Sequence, residues 1–293
     1  MKLEGVYTAI VTPFNKGKVD FKKLAELTEL QIKAGVQGIV PVGTTGESPT
    51  LTLEEHIKVI ETVIDTANGR CTIIAGTGAN STSEAIELTQ LAKKVGANAT
   101  LQVTPYYNKP TQEGLYLHFS TIADEIGLPV VLYNVPGRCG VPIAIETIAR
   151  LSKNSNIIAV KEAGGSAERV SSILDACEIT VLSGDDSLTL PMMAIGAKGI
   201  ISVASNLVPR EIVEMVNAFL SGNISRAEKI HRILYPLFRD LFVESNPIPI
   251  KAAMAMRGMI EESYRLPLCP ISAKNRDLLA KTLDTFSKKA GQI

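Results

Sequence analysis

Short, wholly apolar runs alternate with longer amphipathic stretches through most of the chain. The runs lie at Val6–Val11, Gly38–Val42, Thr72–Ala75, Ala99–Val103, Val130–Tyr133, Ile157–Val160, Ile179–Leu182 and Gly199–Val203. Runs of this length predict strands buried on both faces of a parallel sheet. Helical spacing fills the intervals. After a capping Asp20, Leu24, Leu27 and Ile32 fall on one side of a helix, with Lys22, Lys23 and Glu26 on the other. Thr52 followed by Glu55 reads as a capping box. Further helices are expected at 82–95, 144–152, 167–177, 188–195 and 209–220. Eight such strand–helix units predict a (β/α)8 TIM barrel. The alternative, an open doubly wound sheet, calls for a glycine-rich turn after the first strand, where this chain has Thr12-Pro13-Phe14. Gly222-Asn223 then breaks the alternation, and 225–243, 250–258 and 272–288 carry helical spacing without strand signals. The expected organisation is a barrel over residues 1–222 and a small C-terminal helical domain over 223–293.

Composition narrows the partners. Of 293 residues, 45% are hydrophobic, ample for one large core. Thirty basic and thirty acidic side chains cancel, and Trp is absent. With no basic tail and few aromatics, a nucleic-acid partner is not expected. The cysteines, Cys71, Cys139, Cys177 and Cys269, show no CxxC spacing, as in a reducing compartment. Met1–Val6 has no signal-peptide pattern, and no apolar run reaches the ~18 residues of a membrane span. A soluble cytoplasmic protein is expected, without a membrane partner. His56, His118 and His231 are scattered, so no metal site is expected.

In a barrel, the loops after the strands gather at one face, where active sites are built. Thr44, Thr45, Tyr106, Tyr107, Tyr133, Arg138, Lys161, Ser183 and Asp185 all lie at strand ends and should converge there. Lys161 ends a strand on the face of Ile157 and Ala159. Burial disfavours the charged form of an amine, and a neutral amine attacks carbonyls to form Schiff bases. Tyr133 should stand at the same end of the neighbouring strand. The glycines of Gly43-Thr44-Thr45-Gly46-Glu47-Ser48 let the backbone approach an anionic ligand. Paired tyrosines offer proton transfer, and Arg138 a fork for a carboxylate. Each residue alone has a plainer reading: a strand cap, a tight turn, packed rings, a solvated charge. Asp185-Asp186 is read as solvated or capping. The convergence favours chemistry.

The stretches Gly43-Thr44-Thr45-Gly46-Glu47-Ser48, Thr104-Pro105-Tyr106-Tyr107-Asn108-Lys109-Pro110, Tyr133-Asn134-Val135-Pro136-Gly137-Arg138, Val160-Lys161-Glu162 and Asn246-Pro247-Ile248-Pro249 together resemble the 4-hydroxy-tetrahydrodipicolinate (dihydrodipicolinate) synthase family. The resemblance runs over the whole chain. It implies a lyase that joins pyruvate to L-aspartate 4-semialdehyde through an imine on Lys161, the first committed step towards diaminopimelate and lysine. It implies no cofactor. Tyr133, Thr44 and Tyr107 would relay protons, Tyr107 into a neighbouring subunit's site. Thr45, Ile201 and Gly184 would hold pyruvate, and Arg138 the second substrate. A homodimer, or a homotetramer built as a dimer of dimers, follows. Ser48, His56, Asn80, Glu84 and Tyr106 match positions where some members bind lysine as an inhibitor. Leu53 and Pro49 depart from the lysine-sensitive pattern, so inhibition is expected to be weakened. Cys139 stands where Thr is common. Two other readings remain open: a sialic acid or 2-keto-3-deoxy sugar acid aldolase of the same chemistry, and a barrel that only binds a small anion.

Overall fold

A computed structural model describes residues 1–291 and 293. Eight parallel strands, β1 (Gly5–Ala9), β2 (Gly38–Val40), β3 (Thr72–Gly76), β4 (Ala99–Val103), β5 (Val130–Asn134), β6 (Ile157–Glu162), β7 (Thr180–Ser183) and β8 (Gly199–Ser202), close into a barrel, with β8 pairing β1. Helices α1 (Phe21–Ala34), α2 (Leu53–Ala67), α3 (Thr82–Lys94), α4 (Gln112–Ile126), α5 (Ile145–Leu151), α6 (Ala167–Ala176), α7 (Thr189–Ala194) and α8 (Pro209–Leu220) follow the strands in turn. This is the (β/α)8 TIM barrel read from the alternation. The Asp20 cap on Lys23 N and the Thr52–Glu55 capping box are both formed.

Strand periodicity explains why the runs are apolar throughout. Val40, Ile74, Leu101, Val131, Ala159 and Leu182 point inward and form a cluster that fills the barrel. Their neighbours Ile39, Ile73, Leu132, Val160 and Val181 point outward against the helices. One expectation is corrected here. Strict alternation puts Ile157 on the face of Ala159 and Lys161, but the register shifts after Val130↔Ile157, so that Val131 pairs Ala159. This irregularity moves Ile157 into the outer core and brings Ile158 against the inner one. From Ala159 onward the register is regular, and Tyr133 pairs Lys161.

Two local elements escaped the pattern. Phe14–Asn15 and Lys18–Val19 form a small antiparallel ribbon, turned at Lys16 and Gly17, which both have positive φ. Pro136–Cys139 forms a helical turn after β5. Beyond α8, helices α9 (Ile224–Asp240), α10 (Ile248–Met256) and α11 (Ala273–Ala290) complete the chain. Their Ile230, Leu234, Ile250 and Leu279 join the same apolar core as the barrel's outer face. The segment from Asn246 to Arg265 lies against the loop after β2, at the C-terminal end of the barrel. Among the described residues no helix is long and apolar enough to cross a membrane.

Candidate active site

Strands β5 and β6 place the central pair. Lys161 and Tyr133 are opposite each other in register and only 5% and 6% exposed. The Lys161 Nζ lies over the Tyr133 ring, 4.1 Å from its centroid. The next residues on each strand face the other way and lock the register. Asn134 Nδ2 donates to Glu162 Oε1 at 2.8 Å, and Asn134 Oδ1 accepts from Ile143 N at 2.9 Å. The fully buried Glu162 also accepts from Gly164 N at 2.7 Å and from Arg169 Nε at 2.9 Å. A buried carboxylate needs such complete pairing. Gly184 follows β7 and donates its N–H to Glu162 O at 2.8 Å. A Cβ there would come 2.6 Å from Ala163 Cβ and 3.1 Å from Lys161 Cε, so glycine is what leaves room for the Lys161 side chain.

The loop after β2 builds a second wall. Thr45 is buried and Thr44 half-buried. Val42, at the start of the loop, has φ 51°, a strained conformation for a β-branched residue. Residues far along the chain hold the loop. Asn246 Nδ2 donates to Thr45 Oγ1 at 3.0 Å, and Arg138 Nη2 donates to Asn246 O at 3.2 Å. Lys251 on α10 makes a fully buried ion pair with Glu47 and packs over the Phe14 ring at 4.3 Å. Burial pulls the Lys251 ammonium below its ordinary pKa, and Glu47 opposes that pull. Arg265 grips Glu55 with two 2.6 Å hydrogen bonds.

Around β7 and β8, Asp186 is a buried cap that accepts from Val203 N and Ala204 N, both at 3.1 Å. That matches its capping reading. Asp185 is half-buried, and burial pushes its carboxyl up, with the nearby Lys161 acting in the opposite direction. A solvated role therefore does not describe Asp185. Ser183 is buried, its hydroxyl bonded to Asp185 O, and Ile201 is buried in the barrel interior.

A cavity of about 420 Å³ opens over this assembly. Thr44, Tyr133 and Arg138 line it, and so do Ser48, His56, Glu84 and Tyr106. The two groups of residues read from the sequence thus share one continuous space. Lys161, Thr45, Ile201 and Gly184 are not among its walls, but Tyr133 is, and it stands directly against Lys161. Asn80 is one residue beyond Ala79, which lines the cavity. The His56 Nε2 lies 2.9 Å from Gly76 O, and burial lowers its pKa to about 4, so the neutral ring donates from Nε2. Burial raises the Tyr106 phenol. Leu53 and Pro49 are exposed. Tyr107 is not brought to the cavity of its own chain: it is 91% exposed at φ 71°. A wider groove of about 1140 Å³ lies between α1, α8 and α11, and none of the site residues above lines it. Among the described residues no group of His, Cys, Asp or Glu is arranged to hold a metal ion.

Asn246, Glu162, Asn134, Arg169 and Lys251 were not singled out as supports of the site. Asn134 and Glu162 had only their adjacency to Tyr133 and Lys161 as a sequence signal, Asn246 its membership of the Asn246–Pro249 stretch, and Arg169 and Lys251 none.

Comparison with known proteins bears on this geometry. The Dihydrodipicolinate synthetase family profile matches residues 2–286. The 4-hydroxy-tetrahydrodipicolinate synthase of Geobacter metallireducens is 52% identical over 285 residues, covering 97% of this chain and 98% of that protein. The structure of the synthase from Methylacidiphilum fumariolicum SolV superposes with a TM-score of 0.98 at 50% identity, covering 99% and 98% of the two chains. A lysine-bound structure of the Cyanidioschyzon merolae enzyme superposes at 0.94 and 41% identity, covering 97% and 98%. A profile that spans almost every residue, and a relative half identical along its whole length, establish that the chain belongs to the Dihydrodipicolinate synthetase family.

Proposed function

We propose that the barrel mouth condenses pyruvate with L-aspartate 4-semialdehyde through a Schiff base on Lys161. Family membership makes the chain a lyase of diaminopimelate and lysine biosynthesis, and favours the synthase over a sugar-acid aldolase. The residue roles are our reading of the geometry. The observation that carries them is the buried contact of Lys161 Nζ with the Tyr133 ring, on strands held in register.

The Lys161 amine attacks the keto carbon of pyruvate, and the carbinolamine loses water to give an imine. Removal of a methyl proton gives the enamine. Its carbon attacks the semialdehyde aldehyde, whose oxygen takes up a proton. The substrate's own amine then attacks the imine carbon, closes the ring and releases Lys161. Each stage moves a proton, and Tyr133, whose ring lies under the nitrogen, suits that work, with Thr44 lining the same cavity. Thr45, with backbone at Ile201 and Gly184, receives pyruvate, and Arg138 at the rim receives the second carboxylate. No cofactor enters these steps.

Tyr107, exposed on its own chain, completes the relay in a neighbouring copy, so the working assembly is at least a homodimer, and a homotetramer if dimers pair. Ser48, His56, Asn80, Glu84 and Tyr106 form a lysine subsite, weakened by Leu53 and Pro49. Residues 1–222 act as the catalytic domain and 223–293 as a helical domain, in the cytoplasm.

Borohydride added with pyruvate should trap a covalent adduct on Lys161, located by peptide mass, and Lys161→Ala should abolish it. A wild-type protein that gives no adduct, or gives one elsewhere, overturns the reading.

A further inference from the structure

Asn246 lies in the short connection between α9 and α10 and is buried. It touches two residues that are remote from it and from each other in sequence. Its side-chain Nδ2 donates to Thr45 Oγ1 at 3.0 Å, and its backbone carbonyl accepts from Arg138 Nη2 at 3.2 Å. Those partners are the groups to which the function proposed above assigns the two substrate carboxylates.

The first contact settles what the threonine hydroxyl can offer. A hydroxyl has one proton and two acceptor positions. An amide N–H occupies one acceptor position, which holds the side-chain rotamer and leaves the proton free. A hydroxyl held in this way is preorganised to donate to an anion. The second contact uses one of the five N–H donors of the guanidinium and leaves the others available for a carboxylate. Asn246 Oδ1 is buried without a hydrogen-bond partner, so the side chain is held through its amide nitrogen at Thr45.

We propose that Asn246 is a positioning residue for the pyruvate subsite, its amide setting the Thr45 hydroxyl for the pyruvate carboxylate while its backbone carbonyl tethers Arg138. The proposal rests on the Schiff-base reading. Replacing the side chain leaves the carbonyl in place, so substitutions at Asn246 act on the pyruvate side alone.

The test is steady-state kinetics on the full-length protein with both substrates varied. Asn246→Ala should raise the pyruvate KM about tenfold, the effect of one lost hydrogen bond to a group that holds a charged ligand. The kcat at saturating pyruvate and the KM for L-aspartate 4-semialdehyde should change by less than about threefold. Asn246→Asp keeps the size but puts a carboxylate against Thr45, and should raise the pyruvate KM further. Thr45→Val should also raise it, and adding Asn246→Ala to Thr45→Val should cost nothing more, because the amide acts through the hydroxyl. Equal rises in both KM values, a fall in kcat alone, or additive losses in the double variant overturn the proposal. If Asn246→Ala does not fold, the Asp variant decides by the same comparison. Borohydride trapping of the wild type separates the two levels. No adduct removes the reading beneath the proposal, whereas a normal adduct with unaltered Asn246 variants removes the proposal alone.

Discussion

Two lysines of this barrel are buried against aromatic rings. Lys161 lies over Tyr133 at 4.1 Å, and Lys251 over Phe14 at 4.3 Å. Their charge environments differ. Lys251 makes a fully buried ion pair with Glu47, whose other oxygen accepts from Arg265 N at 3.3 Å. Among the described residues Lys161 forms no ion pair, and the carboxylate next to it in sequence, Glu162, is turned to the other face and held by Arg169. Burial against a ring therefore does not set the two amines apart. What matters is whether an anion already occupies the nitrogen. The buried pair at Lys251 ties α10 to the loop after β2, whereas Lys161 has no such tie, as the proposed attack on a carbonyl carbon requires.

Exchanging each lysine for methionine should break the comparison into opposite phenotypes. Lys161→Met should remove the pyruvate adduct and lower turnover by at least roughly 10³-fold, because the covalent route is lost. Its thermal midpoint should stay close to that of the wild type, since no partner carboxylate is stranded. Comparable unfolding of both methionine variants in a thermal melt would erase the distinction. Lys251→Met should destabilise the fold by about 3–5 kcal/mol, the cost of leaving Glu47 buried and unpaired. Adding Glu47→Gln should restore much of that loss in urea unfolding.

On the Lys161 side, Tyr133→Phe keeps the ring under the nitrogen but deletes the phenol. Turnover should fall by roughly 10²-fold while borohydride still traps pyruvate, as expected for a lost proton relay rather than a lost nucleophile. Wild-type turnover in this variant would assign the relay to another group.

Acid sharpens the contrast from the Lys251 side, where His56 sits on α2 against Gly76. Burial lowers its pKa to about 4, from an ordinary value near 6.5. The folded ring stays neutral through a window in which the unfolded chain takes up a proton. The stability it contributes is complete above pH 6.5 and is lost as the pH falls towards 4. Between pH 6.5 and pH 5 the loss should be about 2 kcal/mol. His118, also lowered to about 4 by burial, adds to it. His56→Asn should flatten this pH dependence in denaturant titrations, and an unchanged slope would show that the ring does not remain neutral.

Much of the site was legible because barrel strands advertise themselves. A run such as Val130-Val131-Leu132-Tyr133 is apolar on both faces, so its last polar group marks the barrel mouth. The same logic places Lys161 and Thr44 at that end of the barrel, with Arg138 in the loop just beyond. Less visible was everything made by contacts between distant segments. The irregular register at Ile157 depends on the neighbouring strand. The role of Asn246 depends on Thr45, some 200 residues earlier. The buried state of Asp186 depends on the turn after β8.

Local chemistry, written in the alternation of apolar runs and amphipathic stretches, determined the eight units, their order and the end of the barrel where the polar groups would gather. Tertiary structure alone decided which of two buried lysines kept an anion, how loops separated by half the chain were tied together, and which tyrosine faced away from its own cavity. The physical reason is range. Periodicity and capping act within a few residues, so the chain carries them openly. Ion pairing, desolvation and hydrogen-bond completion act through space, between residues whose proximity exists only once the barrel has closed.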